Sequence, residues 1–433
     1  MSEATEQIFA LVDVNNMYVS CERSFNPKLR KVPVCVLSNN DGCAVSRSNE
    51  VKALGVKMGT PWFEMKDLAH QHGIIGLSSN YALYGDMSQR IMTILAEYSP
   101  NLEIYSIDEA FISCRGLEGL WPSMTAMGQH IRANILRCTT MPVCVGAGQT
   151  KTLAKLANFM AKKAPLFEGV CDLTTMSNAR MEWFFTRIPV DEIWGVGRRI
   201  SAKLTAMGID TVQRLKDASP SAIRSRFGVV MERTCYELQG VSCLALEEVP
   251  PARKEIVSSR SFGELTRSVD ELSEAVTMYV ARASEKLRRQ HSVCSAIHIF
   301  VQTNPFRTQD PQYNNGKTIP FADPTDDTRV LTGAAIQGLT SIYREGFQYK
   351  KAGVMLMGLL PNTTKQGSLF DTEVTRQTSA VIMSTLDEVN QRYGRDALRL
   401  GSAGIAQRWS MKSANRSPRY TTRWEELPTV TAN

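Results

Sequence analysis

Ten cysteines occur without a Cys-x-x-Cys pair or a regular spacing, which argues against both a zinc site and a disulfide framework. Cys35, Cys144 and Cys294 lie in apolar runs and read as small buried hydrophobes kept reduced. Histidine is scarce as well. Of five, only His70-x-His72 forms a cluster, on a polar stretch that suits a surface better than a metal. No apolar run is long enough to span a bilayer. The opening Met1-Ser2-Glu3-Ala4-Thr5-Glu6-Gln7 is polar and acidic, unlike a signal peptide. A cytoplasmic protein with no membrane partner is expected. Neither sign of charge dominates: 50 Lys+Arg against 43 Asp+Glu leave a net +7, a mild bias toward anionic partners. Two nucleotide motifs are approached and missed. A Walker A loop needs glycine directly before its lysine, and Thr150 precedes Lys151. Trp194-Gly195-Val196-Gly197-Arg198 lacks the third glycine and the strand-helix-strand frame of a dinucleotide fingerprint.

At 433 residues the chain is too long for one core and should divide into two to four domains. The stretch around which it is organised is residues 102–112. This apolar, β-branched run reads as a strand or tight hairpin on a buried sheet, and Asp108 and Glu109 interrupt it. Burying unpaired acids is costly, so this pair should face a cleft, a cation or a metal. Asp-Glu recurs at 191–192, 270–271 and 387–388. However, Ser268-Val269-Asp270-Glu271 is a capping box leading into a helical pattern, and only 108–109 has a strand context. A third acid, Asp13, follows the apolar run 8–12 at a strand end, where it can converge on the pair. As an N-cap of the following turn it would fit equally well.

Residues 32–37 read as a strand and 38–42 as a polar turn, followed by a second strand and a helix near 49–54. Ser46, Arg47, Asn49 and Lys52 either bring donors and cations toward the acids or form a solvated face. Helices are expected over 84–98 and 125–138. A strand from Val143, a glycine turn and a basic helix with Lys151, Lys155, Lys162 and Lys163 come next. The Gly195-Val196-Gly197 turn, with Arg198, Arg199 and Lys203 after it, suits a helix-hairpin-helix whose free backbone N–H groups grip a nucleic-acid phosphate. Residues 246–254 read as an interdomain linker. Beyond them, strand 255–262, helix 270–289, strands 293–301 and 317–321, helix 327–343 and strand 350–359 give a β-α-β-β-α-β order, a separate α+β domain. After Pro361 the chain turns polar, with Gln366, Leu369 and Phe370 marking a docking peptide in a hydrophilic tether. From Arg395 to Arg423 seven Lys/Arg accompany one Asp, with Trp409, Tyr420 and Trp424 nearby. That composition suits a protein partner or single-stranded nucleic acid.

In this order the parts resemble a Y-family translesion DNA polymerase, most closely the UmuC-type catalytic subunit of bacterial DNA polymerase V. The likeness rests on Ala10-Leu11-Val12-Asp13-Val14-Asn15, Leu37-Ser38-Asn39-Asn40-Asp41-Gly42-Cys43, Ala53-Leu54-Gly55-Val56-Lys57-Met58-Gly59, Ser106-Ile107-Asp108-Glu109, the helix-hairpin-helix, and Ser417-Pro418-Arg419-Tyr420-Thr421-Thr422-Arg423-Trp424. It implies an α+β multidomain fold shaped as a right hand. The parts would be a palm (1–20 and 82–170), small fingers (21–81), a helix-hairpin-helix thumb (171–245), a linker (246–254), a β-α-β-β-α-β little finger (255–361) and a tethered C-terminal tail (362–433).

The resemblance further implies Asp13, Asp108 and Glu109 as catalytic acids that hold two Mg2+ ions together with the carbonyl of Val14. Tyr18 would be the steric gate against a ribose, where a packing role is the plain alternative. Ser46, Asn49, Lys52 and Lys162 would hold the triphosphate, and Gly195, Gly197, Arg198, Arg199 and Lys203 the DNA. Asn49 and Lys52 stand where many family members carry tyrosine and arginine, and lysine offers a point charge in place of a fork. Gln366, Leu369 and Phe370 match a sliding-clamp peptide. The implied partners are primer-template DNA, deoxynucleoside triphosphates, the sliding clamp, a cleaved UmuD-type accessory dimer and a RecA filament, in an SOS response at the nucleoid. The implied activity is error-prone and lacks a proofreading exonuclease. A non-catalytic DNA-binding scaffold is the competing reading, and a metal-dependent nuclease is a third.

Overall fold

The first apolar run forms β1 (Phe9–Val14), buried along its whole length at the centre of a five-stranded sheet. The computed structural model describes residues 7–117, 119–247, 251–364, 373–405, 409–427 and 429. Residues 1–38, 42–250 and 415–433 make one unit, and residues 39–41 and 251–414 a second. In the first, the chain continues through α1 (Met17–Phe25), β2 (Val34–Leu37), β3 (Ala44–Arg47), α2 (Asn49–Ala53), α3 (Lys66–His72), β4 (Ile75–Ser78) and α4 (Tyr81–Ala96). Then come β5 (Leu102–Ile104), β6 (Glu109–Ser113), α5 (Met124–Thr139), β7 (Val143–Gly148), α6 (Lys151–Lys163) and β8 (Val170–Asp172). The large sheet has the order β5-β6-β1-β7-β8 and is antiparallel except where β8 joins β7. A small sheet has the order β3-β2-β4. Five short helices complete the unit: α7 (Asn178–Phe185), α8 (Arg198–Ala206), α9 (Val212–Asp217), α10 (Pro220–Phe227) and α11 (Val229–Leu238).

Successive strand residues point to opposite faces, and β1 sorts its side chains accordingly. Ala10, Val12 and Val14 enter a core shared with Met87, Ile91 and Leu95 of α4 and Ile131 and Ile135 of α5. Phe9 and Leu11 meet Phe111 and Ala154 of α6 on the other face. Asp13 shares the parity of Phe9 and Leu11, so the strand carries it to the α6 side. Helix α6 lies directly on β7 because two strand residues lack side chains. A Cβ on Gly146 would fall 2.1 Å from the backbone nitrogen of Asn158, and one on Gly148 2.8 Å from Leu153 Cβ. These glycines, expected in a turn, are therefore strand residues. The turn falls at Gln149 and Thr150, and the Thr150 hydroxyl accepts from Leu153 N to cap α6. Residues 102–112 are a hairpin in which Asp108 belongs to the connection, not to a strand. Asp13 is a strand residue, since the cap position of α1 is held by Asn16. His70 and His72 are exposed in the last turn of α3, and Cys35, Cys144 and Cys294 are buried and free.

In the second unit β9 (Ile256–Thr266), α12 (Val269–Arg289), β10 (Ser292–Thr303), β11 (Asn314–Thr325), α13 (Thr328–Ile342) and β12 (Tyr349–Pro361) follow the order read from the periodicity. The sheet β11-β10-β12-β9 is antiparallel and packs on α12 and α13 through Leu272, Tyr279, Ile297, Leu339 and Val354. Ser268 caps α12 through Asp270 N and Glu271 N, as its capping box requires. The expectation of a tether beyond Pro361 missed a 21-residue helix, α14 (Glu373–Tyr393). It docks by a bidentate Arg288–Asp387 pair (2.6 and 2.7 Å) and the buried Met383. The clamp-like peptide with Gln366, Leu369 and Phe370 lies outside the described residues, as do residues 248–250 of the expected linker. Among the described residues no helix is long and apolar enough to cross a membrane.

Candidate active site

The acids are brought together by strand register. Asp13 on β1 is paired directly with Glu109 on β6, and Val14 N donates to the Asp108 carbonyl at 2.9 Å. Ser106 shapes the connection. Its hydroxyl donates to Asp108 Oδ1 at 2.6 Å and accepts from Asp108 N and Glu109 N at 3.2 and 3.1 Å. The short antiparallel pairing of Leu102-Glu103-Ile104 on β5 with Ala110-Phe111-Ile112 on β6 also puts Glu103 opposite Phe111. Glu103, Glu109 and Asp13 thus share one face of the sheet, the face covered by α6.

Helix α6 answers these three acids with three lysines. Lys151, Lys155 and Lys162 are spaced four and seven apart, one side of a helix. They pair respectively with Glu103, Glu109 and Asp13. Lys151 and Glu103 are both buried and are bound further by Ala245 O and Glu247 N. That pair is a structural rivet. Lys155 holds both oxygens of Glu109, at 2.9 and 3.1 Å, and its ammonium lies 4.5 Å from the Tyr105 ring centroid. Of the basic helix read from sequence, only Lys163 is an exposed cation without an acid partner among the described residues. Burial pushes the Asp13 carboxyl up to about 6; Lys162 opposes that rise, and the negative charge of Glu109 and Asp108 reinforces it.

A cavity of about 410 Å3 opens at this strand end. Its lining includes Asp13 and Asp108, the cations Arg47, Lys52 and Lys162, and Ser46 and Tyr18. Burial, then repulsion from Arg47, Lys162 and Lys163, lowers the Lys52 ammonium. Such a concentration of cations suits an anionic guest. Arg47, read from sequence as either a cation brought toward the acids or part of a solvated face, lines the cavity. Its Nη1 donates to Val56 O at 2.8 Å, while its Nε is buried with no partner. It stands at the end of β3, next to Ser46. Two expected residues are not in this cavity. Asn49 lines a neighbouring one with Arg23 and Arg30 and accepts from Asn16 Nδ2 at 3.1 Å, and Glu109 is turned onto Lys155.

The donors suit a hard divalent cation, because Asp13, Asp108 and Glu109 provide only oxygen. Among the described residues no three acid, histidine or cysteine side chains are gathered closely enough to hold an ion. Lysines occupy two of the acids instead. Tyr18, half-buried, stacks on Tyr84 (centroids 4.5 Å apart, planes 12°) and meets Tyr81 edge-on at 6.0 Å. Further along, Gly195 (φ +88°) and Gly197 lead into α8, and Arg198, Arg199 and Lys203 are exposed around them.

A model of the impB/mucB/samB family matches residues 12–158, that of the same family's C-terminal domain matches 253–369, and a domain of unknown function matches 380–430. The chain is 47% identical to Protein UmuC of Salmonella typhimurium over 421 residues, 97% of this chain and 99% of that protein. It is 42% identical to Protein MucB of Escherichia coli over 424 residues, 98% and 100% of the two. Among solved structures it superposes on the Y-family DNA polymerase chimera of Dbh and Dpo4 with a TM-score of 0.62 at 21% identity, covering 82% of this chain and 100% of that one. The last likeness speaks for the right-hand fold, and the first two for kinship. The chain belongs to the impB/mucB/samB family and is a Y-family DNA polymerase of the UmuC type.

Proposed function

We propose that the cavity at the end of β1 carries out error-prone translesion DNA synthesis by two-metal nucleotidyl transfer. The observation that carries this reading is one cavity lined by Asp13 at a strand end, Asp108 of the adjoining hairpin connection, the cations Arg47, Lys52 and Lys162, and Tyr18. Asp13, Asp108, Glu109 and the Val14 carbonyl would hold two Mg2+ ions, which when bound activate the primer 3′-hydroxyl and neutralise the pyrophosphate leaving group. Lys162 and Lys52 bind the triphosphate as point charges, with Ser46 as a neutral donor and Arg47 as an additional cation. Asn49 acts on the nucleotide through Asn16, which joins it to Lys52. Tyr18 presents its ring to the sugar and excludes a 2′-hydroxyl. Gly195 and Gly197 leave backbone N–H groups free for the DNA backbone, with Arg198, Arg199 and Lys203 adding charge without reading bases.

Gln366, Leu369 and Phe370 dock on the sliding clamp, and a cleaved UmuD-type dimer and a RecA filament activate the enzyme in the SOS response, in the cytoplasm at the nucleoid. The palm, fingers, thumb and little finger take the boundaries read from the sequence. The enzyme has no proofreading exonuclease. Primer extension on a lesion-containing template, with clamp and accessory dimer supplied, tests the chemistry. Magnesium-dependent insertion should be abolished by Asp108→Ala. Insertion that survives that substitution would overturn the site, and trimming of a mismatched primer end would overturn the absence of proofreading.

A further inference from the structure

The two helices that hold Tyr18 are tied together by a distant piece of chain. Helix α1 places Tyr18, Glu22 and Phe25 four and three residues apart, on one face. Helix α4 supplies Tyr84, which stacks on Tyr18 and donates its hydroxyl to Glu22 Oε1 at 2.6 Å. Residues 415–420 lie across both helices. The Ser417 hydroxyl donates to the same Glu22 oxygen at 2.9 Å, and the Tyr420 ring stacks on Phe25 with centroids 5.0 Å apart and planes 8° off parallel. On the α4 side, Asn80 both caps the helix through Leu83 N and donates to the Ser417 carbonyl, the Ser417 hydroxyl and the Pro418 carbonyl at 2.9–3.0 Å. Ser78 and Asn415 exchange two more hydrogen bonds, each 3.0 Å.

Glu22 is 1% exposed and Tyr84 fully buried, so neither can replace these partners with water. A hydroxyl on a buried carboxylate also fixes a rotamer, and through Tyr84 it fixes the plate against which Tyr18 rests. The segment falls within the stretch matched by a domain of unknown function. Its aromatic residue, read from sequence as a surface for partners, is used here within the chain's own fold.

We propose that residues 415–420 are a positioning strap for the sugar-discriminating tyrosine, with Ser417 and Tyr420 acting on Tyr18 through Glu22, Tyr84 and Phe25. The inference rests on the assignment of Tyr18 as the gate. Without the strap α1 and α4 still pack, but the Tyr18 ring is free to shift where a 2′-hydroxyl must be refused. A shift well under an ångström at such a contact changes selectivity while chemistry proceeds.

The test uses the full chain and compares kcat/KM for a deoxynucleotide and the matching ribonucleotide. Ser417→Ala with Tyr420→Leu should raise relative ribonucleotide use about fivefold to tenfold, whereas Tyr420→Phe, which keeps the stacked ring, should leave the ratio at the parent value. Tyr18→Ala is measured alongside. If it moves the ratio and the strap variant does not, or if the strap variant lowers both nucleotides equally, the strap is only structural and the inference is overturned. If Tyr18→Ala itself leaves the ratio unchanged, the gate assignment falls and the strap inference with it. Should the double variant fail to fold, Ser417→Ala alone carries the same comparison, with amide exchange of residues 17–25 rising if the strap holds α1.

Discussion

Replacing Lys162 with methionine separates two tasks that its ammonium performs. Lys162 is paired with Asp13, and it lines the cavity together with Arg47 and Lys52. Its side chain is 34% exposed and that of Asp13 12%. A pair that reaches water at one end contributes about 1 kcal/mol or less to stability. Methionine also keeps an unbranched stem of similar length. The variant should therefore melt close to the parent. A charge-assisted hydrogen bond to a phosphate contributes about 1.5–3 kcal/mol. If Lys162 makes one, nucleotide kcat/KM should drop about 10- to 150-fold. Because such a contact already exists in the bound ground state, most of the loss should appear in KM. The same substitution frees Asp13 of its partner but removes the charge that opposes the rise of its carboxyl. At a pH well above the Asp13 titration, where the acid is ionised, the magnesium concentration for half-maximal rate should therefore not rise. Single-nucleotide insertion, titrated in both magnesium and nucleotide, reads the two quantities separately. An unchanged KM with a raised magnesium requirement would place Lys162 in the service of the acids alone and refute the reasoning. Lys162→Arg should recover most of the KM.

Lys151→Met should instead destabilise the first unit by about 3–5 kcal/mol, because it strands Glu103 as a buried charge. Adding Glu103→Leu should restore much of that loss in a urea melt, and additive losses would contradict the pairing. Burial alone would raise the Asp327 carboxyl, but the bonds it accepts from Arg329 and Ser379 hold it at about 2. Its contribution, about 1–2 kcal/mol, is present above the ordinary carboxylate range and lost as pH falls from about 4 to about 2. Asp327→Asn should consequently be less stable than the parent at neutral pH, with a gap that narrows through that acid window; a gap independent of pH would exclude the mechanism. Changing Arg198, Arg199 and Lys203 together to glutamine should weaken DNA binding and make the slope of log affinity against log salt shallower by about three if each meets a phosphate. An unchanged slope would remove the three from the DNA interface.

The second unit's β-α-β-β-α-β order was legible because its helices and strands are long and strongly periodic, from the capping box at Ser268 to the alternation in β10. Helix α14 was not, since its apolar positions are few and a polar helix looks like a tether until Asp387 finds Arg288. Gly146 and Gly148 were misread for a related reason. A glycine that permits close packing and one that permits a turn are spelled alike, and only the position of α6 separates them.

By itself, the sequence determined that acids stand at a strand end and in a hairpin, that a basic helix follows a buried strand, and that a glycine turn with cations lies downstream. Those features depend on neighbours within a few residues. Tertiary structure alone decided their pairing. The antiparallel register of β1 and β6 placed Asp13 opposite Glu109, and strand parity put both under α6. Because 151, 155 and 162 share one side of that helix, what reads as a cationic surface became three ion pairs, two of them at the site. The basic wall was likewise completed by Arg47, and Tyr18 received its backing from Tyr84, Glu22 and Ser417, the last nearly 400 residues further along. Contacts between residues so far apart depend on how elements pack, and no local pattern encodes them.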